Sequence, residues 1–173
     1  MRQMIVSWYL GAGAAQLGVR AIKTCMDLTQ EPEEAHQATK AWVKGNYEAG
    51  RKLYVVCVEK ARRPGEHLPP SFYLCEWARM EGTINNRAAF ESLYQQAFAL
   101  EPDAPFIRLC YARDLWTEFK DGPACSKEIQ KLGSLLSSDH WNKSNDLSPL
   151  AYAQKIETLR AWVRGEPGGQ LWP

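Results

Sequence analysis

The stretch AAFESLYQQAFALEPDAP, residues 88–105, decides the fold. Phe90 is followed by Tyr94 four residues later, by Ala97 three after that, and by Pro102 five further on. Steps of three and four place Phe90, Tyr94 and Ala97 on one face of a helix, and Pro102 stops it. A small residue at Ala97 lets a neighbouring helix approach closely, while Tyr94 fills the gap between helices. Glu101-Pro102-Asp103-Ala104-Pro105 ends one helix and starts the next, because proline is tolerated in a first turn.

The pattern extends in both directions. Before it, Pro69-Pro70-Ser71 opens a helix that carries Leu74, Trp77 and Ala78, a large, large, small sequence. After it, Tyr111, Ala112 and Leu115 repeat that arrangement, and Cys125, Ile129 and Leu132 repeat the helix behind it. Further upstream, the turn Gly45-Asn46-Tyr47 precedes Gly50, Tyr54 and Cys57. Tyr54 and Tyr94 are 40 residues apart and Tyr94 and Ile129 are 35 apart, so three related helix pairs span about 32–135. The spacing predicts helices over 3–28, 32–44, 46–62, 70–82, 86–100, 105–118, 123–137 and 148–164, with a polar loop over 137–147. Nothing reads as a strand array: the β-like run Leu53 to Val58 lies inside a helical period.

This pattern resembles the tetratricopeptide superfamily, which implies an all-α fold, an α-α superhelix of stacked helical hairpins. The first-helix segments Leu74-Cys75-Glu76-Trp77-Ala78-Arg79-Met80-Glu81 and Arg108 to Leu115 are also similar to the half-a-TPR repeats of RNA-processing scaffolds. The glutamate of that pattern is missing in the second segment. The resemblance implies one helical-repeat domain over 1–165, with units at about 32–66, 70–102 and 105–136. A capping helix at about 148–164 and a tail over 166–173 complete it. It further implies a concave groove lined by first helices. Aligned to the repeat, Trp42, Phe72, Arg79, Phe106, Arg113 and Trp116 face that groove and bind a protein or peptide partner. Aromatic and arginine side chains suit peptide capture, through large apolar area and a fixed donor fork. The same side chains also suit plain packing against capping helices, and Arg79 and Arg113 suit pairing with Glu76, Glu81 and Asp114. Lysine and asparagine, which bind chaperone tails elsewhere in the superfamily, are replaced here by Cys75, Glu76, Leu109 and Cys110, so such tails are not the expected ligand.

Composition narrows the function classes. Twenty-one basic and 20 acidic residues give a net charge of +1, which supplies no general drive towards nucleic acid. Cys25, Cys57, Cys75, Cys110 and Cys125 show no metal spacing and read as buried apolar residues of a reducing, cytoplasmic protein. The apolar run over 4–19 reads as a packed helix, with an export signal or membrane anchor as the alternative. No phosphate-binding, dinucleotide, zinc-protease or serine-hydrolase motif occurs, so no cofactor, metal or catalytic residue is expected. The resulting expectation is a protein-binding or scaffolding module without enzymatic activity. The alternatives are a structural subunit of an obligate oligomer or larger assembly, such as an RNA-processing or secretion-related one, and an enzyme with a Cys–His site.

Overall fold

Two kinds of punctuation shape the chain. In a computed structural model that describes residues 33–63, 68–137 and 149–166, seven helices follow one another and no strand occurs among these residues. They are α1 (Glu33–Val43), α2 (Tyr47–Ala61), α3 (Pro70–Thr83), α4 (Arg87–Leu100), α5 (Pro105–Phe119), α6 (Gly122–Leu136) and α7 (Pro149–Val163). The helix expected over 3–28 lies outside the described residues, as do the loop after 137 and the tail after 166.

Inside each hairpin, a residue in the left-handed region ends the first helix and an Asn or Asp caps the second. Gly45, Asn85 and Lys120 have φ of 77°, 58° and 54°. Directly after them, the side chains of Asn46, Asn86 and Asp121 accept the backbone N–H of Ala49, Ala89 and Ala124, satisfying helix donors that otherwise have no partner. Between hairpins the device differs. Pro70 and Pro105 occupy the first position of their helices, where a missing N–H costs nothing.

Helices α1 and α2, α3 and α4, and α5 and α6 pack as antiparallel pairs, and α7 packs against α5 and α6. Successive first helices lie side by side, α3 on α5 and α5 on α7, while each second helix touches the first helix of the next pair. Small residues make the close approach: Ala38, Ala78, Ala97 and Ala112 are all completely buried.

Equivalent positions carry the same load. Tyr54 of α2 stacks on Trp77 of α3 with ring centroids 6.2 Å apart, and Tyr94 of α4 meets Tyr111 of α5 at 4.7 Å. Size is exchanged across the mouth of each hairpin. The first pairs Trp42 with Gly50, the second Gly82 with Phe90, and the third has Trp116 and Cys125 at these places. A Cβ on Gly50 would lie 2.8 Å from the Trp42 ring, closer than carbon atoms approach.

The first two hairpins are also locked by a buried carboxylate. Glu81 has no exposed surface and accepts from Arg51 Nε at 2.7 Å, Arg51 Nη2 at 2.8 Å, Trp77 Nε1 at 2.9 Å and Asn86 Nδ2 at 2.8 Å. Burial pushes its carboxyl up, but donation from Arg51, Trp77 and Asn86 outweighs that, so it titrates below the ordinary glutamate value of 4.5.

Gly50→Ala should therefore destabilise the protein by about 1–3 kcal/mol through overpacking, although alanine normally favours a helix interior. Adding Trp42→Phe should recover part of that loss, and chemical denaturation of both variants checks it. Glu81→Gln should cost about 2 kcal/mol, since a charged acceptor of buried donors is lost. Because the folded carboxyl titrates low, its contribution is complete above pH 4.5 and disappears as the pH falls through the folded value. The variant should show a shallower loss of stability in acid titrations followed by circular dichroism; an unchanged acid slope would remove Glu81 from this role.

Candidate functional site

The face formed by the first helices α3, α5 and α7 holds most residues that the repeat pattern singles out. Phe72 and Phe106, at equivalent places 34 residues apart, stack with centroids 6.4 Å apart and planes 12° from parallel. Phe72 is buried and Phe106 half-buried. Arg79 is half-buried and donates to Glu76 at 2.8 Å. Arg113 is only 4% exposed and donates to Asp114 at 2.5 Å. Asp114, wholly buried, also accepts from the Tyr94 hydroxyl at 2.6 Å, which ties α5 to α4.

Three placements depart from a groove lining, the first being Phe72, which is buried against Tyr73 and Phe106. Trp42 is 5% exposed and belongs to the first hairpin, where it packs with Ala38, Tyr54 and Met80 and donates from Nε1 to Thr83 Oγ1 at 3.2 Å. Its turn of helix lies against the glycine at position 50, so the indole fills the hairpin rather than facing outward. Arg113 is directed inward by the buried Asp114 beside it. Phe106, Arg79 and Trp116 remain partly open to solvent.

Trp116 stands at a depression of this face. A shallow cleft of about 440 Å³ is lined by Trp116, Thr117 and Lys120 at the end of α5 and by Trp162, Gly165 and Glu166 at the end of α7. Both indoles are half-buried. Beneath them α7 closes on the third hairpin: a Cβ on Gly122 would meet Val163 Cγ1 at 3.4 Å and the Trp116 ring at 3.7 Å. The Lys120 ammonium lies 5.5 Å from the centre of the Trp116 ring, within cation–π range. Glu166 is held by Arg164, whose Nε and Nη2 each reach one of its oxygens at 2.7 Å.

Lys120, Trp162, Gly165 and Glu166 carry no short motif and escape a reading by repeat position. One signal does exist. Trp42 and Trp162 each stand three residues before a left-handed glycine, and Trp116 stands four before Lys120.

The cysteines offer little chemistry. Cys57, Cys75, Cys110 and Cys125 are buried thiols. Burial pushes Cys110 and Cys125 up to about 12 and Cys75 well above the usual thiol value, the reverse of what a nucleophile requires. Lys155, whose ammonium burial lowers to about 8, lies near Cys110 and Arg113. No group of three or more metal-ligating side chains occurs among the described residues. No described helix is long and apolar enough to cross a membrane.

Comparison with protein-family models, with curated proteins and with solved structures finds no match to this chain.

Cys75, Cys110 and Cys125 should therefore resist a maleimide in the native protein and react promptly in denaturant. Mass spectrometry of timed samples measures this, and fast native labelling of Cys110 would revive a nucleophilic reading.

Proposed function

We propose that this chain is a protein-binding module of tetratricopeptide-like type, which holds a partner's peptide or helix across its first-helix face. One observation carries the reading. Two successive first helices, α5 and α7, each end in a half-buried tryptophan, and the two indoles line a common cleft. Such positions suit recognition, because an indole brings a large apolar area to an interface and loses little side-chain freedom when bound. Phe106, Arg79 and Glu76 extend the same face towards α3, so a segment crossing α3, α5 and α7 would meet aromatic, basic and acidic groups in turn.

Several properties support this assignment over catalysis. The acids and bases of the face are engaged with one another, as Arg79 with Glu76 and Arg113 with Asp114, and the thiols beside them are neutral at physiological pH. A net charge of +1 supports a protein partner rather than nucleic acid. The buried thiols fit a reducing, cytoplasmic setting.

Affinity capture from cell extract, read by mass spectrometry, tests the proposal. Trp116→Ala with Trp162→Ala should abolish recovery of the specific partner while the helical circular-dichroism signal persists. A control change on the exposed side of α2, Val55→Ser, should leave recovery intact. Equal recovery by the double variant and the control would refute the face. Light scattering that found the chain only as a stable oligomer, with the two tryptophans protected in it, would favour a structural subunit.

A further inference from the structure

We infer that the Trp116–Trp162 cleft selects an acidic partner segment, in which a carboxylate lies beside an apolar residue, and that Lys120 is the residue that reads the carboxylate. This inference rests on the partner-binding reading and adds the chemistry of the ligand to it.

Lys120 has φ 54° and ψ 28°, the left-handed conformation. Side chains with a Cβ crowd the backbone there, which is why glycine is preferred. Gly45 and Gly165 fill the matching position in two other turns, and Asn85, a residue type that tolerates it, fills the third. A lysine at this place is a poor turn residue, and strained positions of this kind gather at binding sites. The side chain runs back towards α5, with the ammonium above the Trp116 ring at the cleft.

Charge then decides the ligand. Among the described residues, the Lys120 ammonium joins no ion pair and lies over the face of an indole. The carboxylate on the cleft, Glu166, has both oxygens taken by Arg164. What the cleft still offers is positive charge beside apolar rings. A partner's basic side chain would meet Lys120 and an acid already occupied. A carboxylate would instead find the ammonium, already partly ordered by the ring beneath it, while a neighbouring apolar side chain covers the indoles. An exposed ion pair alone is worth little, but one formed against an aromatic wall loses less side-chain freedom and is better shielded from water.

Titration of the full chain with defined peptides tests this. The first is a blocked peptide Gly-Ser-Leu-Phe-Asp-Glu-Gly, the second its Asn-Gln counterpart, and the third Gly-Ser-Leu-Phe with a free C-terminus. The readout is the indole N–H resonances of Trp116 and Trp162, assigned through Trp116→Phe and Trp162→Phe. Binding of the first peptide should move both resonances to saturation and weaken as salt is added. The Asn-Gln peptide should bind about tenfold more weakly, the loss of one charge-assisted contact. Comparison with the third separates a side-chain carboxylate from a terminal one. Lys120→Gly should erase the preference for acid, while relief of the left-handed strain keeps or raises stability in thermal melts. Equal binding of acidic and neutral peptides, survival of the preference in Lys120→Gly, or no response to any peptide would overturn the inference. Should the preference be absent while Trp116→Ala with Trp162→Ala still abolishes partner capture, the module reading stands and only the ligand chemistry falls. Should the acidic peptide bind while capture ignores those two substitutions, the module reading falls instead.

Discussion

A carboxylate removed wholly from water must find its donors inside the protein, and Glu81 finds four hydrogen bonds on three segments. Arg51 comes from the second helix of the preceding hairpin, Trp77 from one turn earlier in its own helix, and Asn86 from the turn that follows. Each donor group has a fixed direction, so together they set both the rotation of α3 and its height against α2. Stacking of Tyr54 on Trp77 follows from that setting, as does the approach of Trp42 to Thr83. The next seam reaches the same geometry with other chemistry. Leu115 stands where Glu81 would, and the buried acid is Asp114, which takes the Tyr94 hydroxyl from the helix behind and the Arg113 guanidinium from beside it.

The two seams share positions more than residues. An aromatic of each second helix meets an aromatic of the following first helix, Tyr54 with Trp77 and Tyr94 with Tyr111. At the hairpin mouths the bulky partner changes sides, from Trp42 opposite Gly50 to Phe90 opposite Gly82. Close packing constrains the volume summed over a pair of facing positions and leaves open which helix supplies it. That freedom explains how the units keep a regular architecture while their sequences diverge from one another.

Much of the architecture was legible in the residues. Helix ends were marked by Pro70, Pro102 and Pro105 and by the Asn46 turn, and those signals act locally, so spacing alone locates them. Burial of Tyr94 and Ala97 was legible for the same reason, since a three-and-four rhythm defines a face. Which face meets solvent depends on the neighbours, and here spacing carried less. Arg113 looks like Arg79 in the repeat, yet Asp114, adjacent in the chain, turns it inward, whereas Arg79 is held by Glu76 one turn earlier and stays partly open. Spacing puts Trp42 on a groove, because nothing within its own helix announces Gly50, the hole that receives it. The cleft was the least legible feature. Trp116 and Trp162 are 46 residues apart, one in the third hairpin and the other on α7, and line one cleft only through the packing of α7.

The third turn differs from the others by one step. In the hairpins closed by Asn46 and Asn86, and after α7 at Glu166, the capping N–H reaches a carbonyl five residues back, whereas Asp121 reaches Leu115, six back. The added residue lies at the C-terminal end of α5, away from the stacking of Phe106 on Phe72 at its start. At the rim, the place held by Gly45 and Asn85 in the other two hairpins holds a long charged side chain. In a stacked array, then, lengthening a loop by a single amino acid is a route to new surface chemistry that leaves the load-carrying interior untouched. Diversity in such molecules can arise by insertion at the corners as readily as by substitution along the helices.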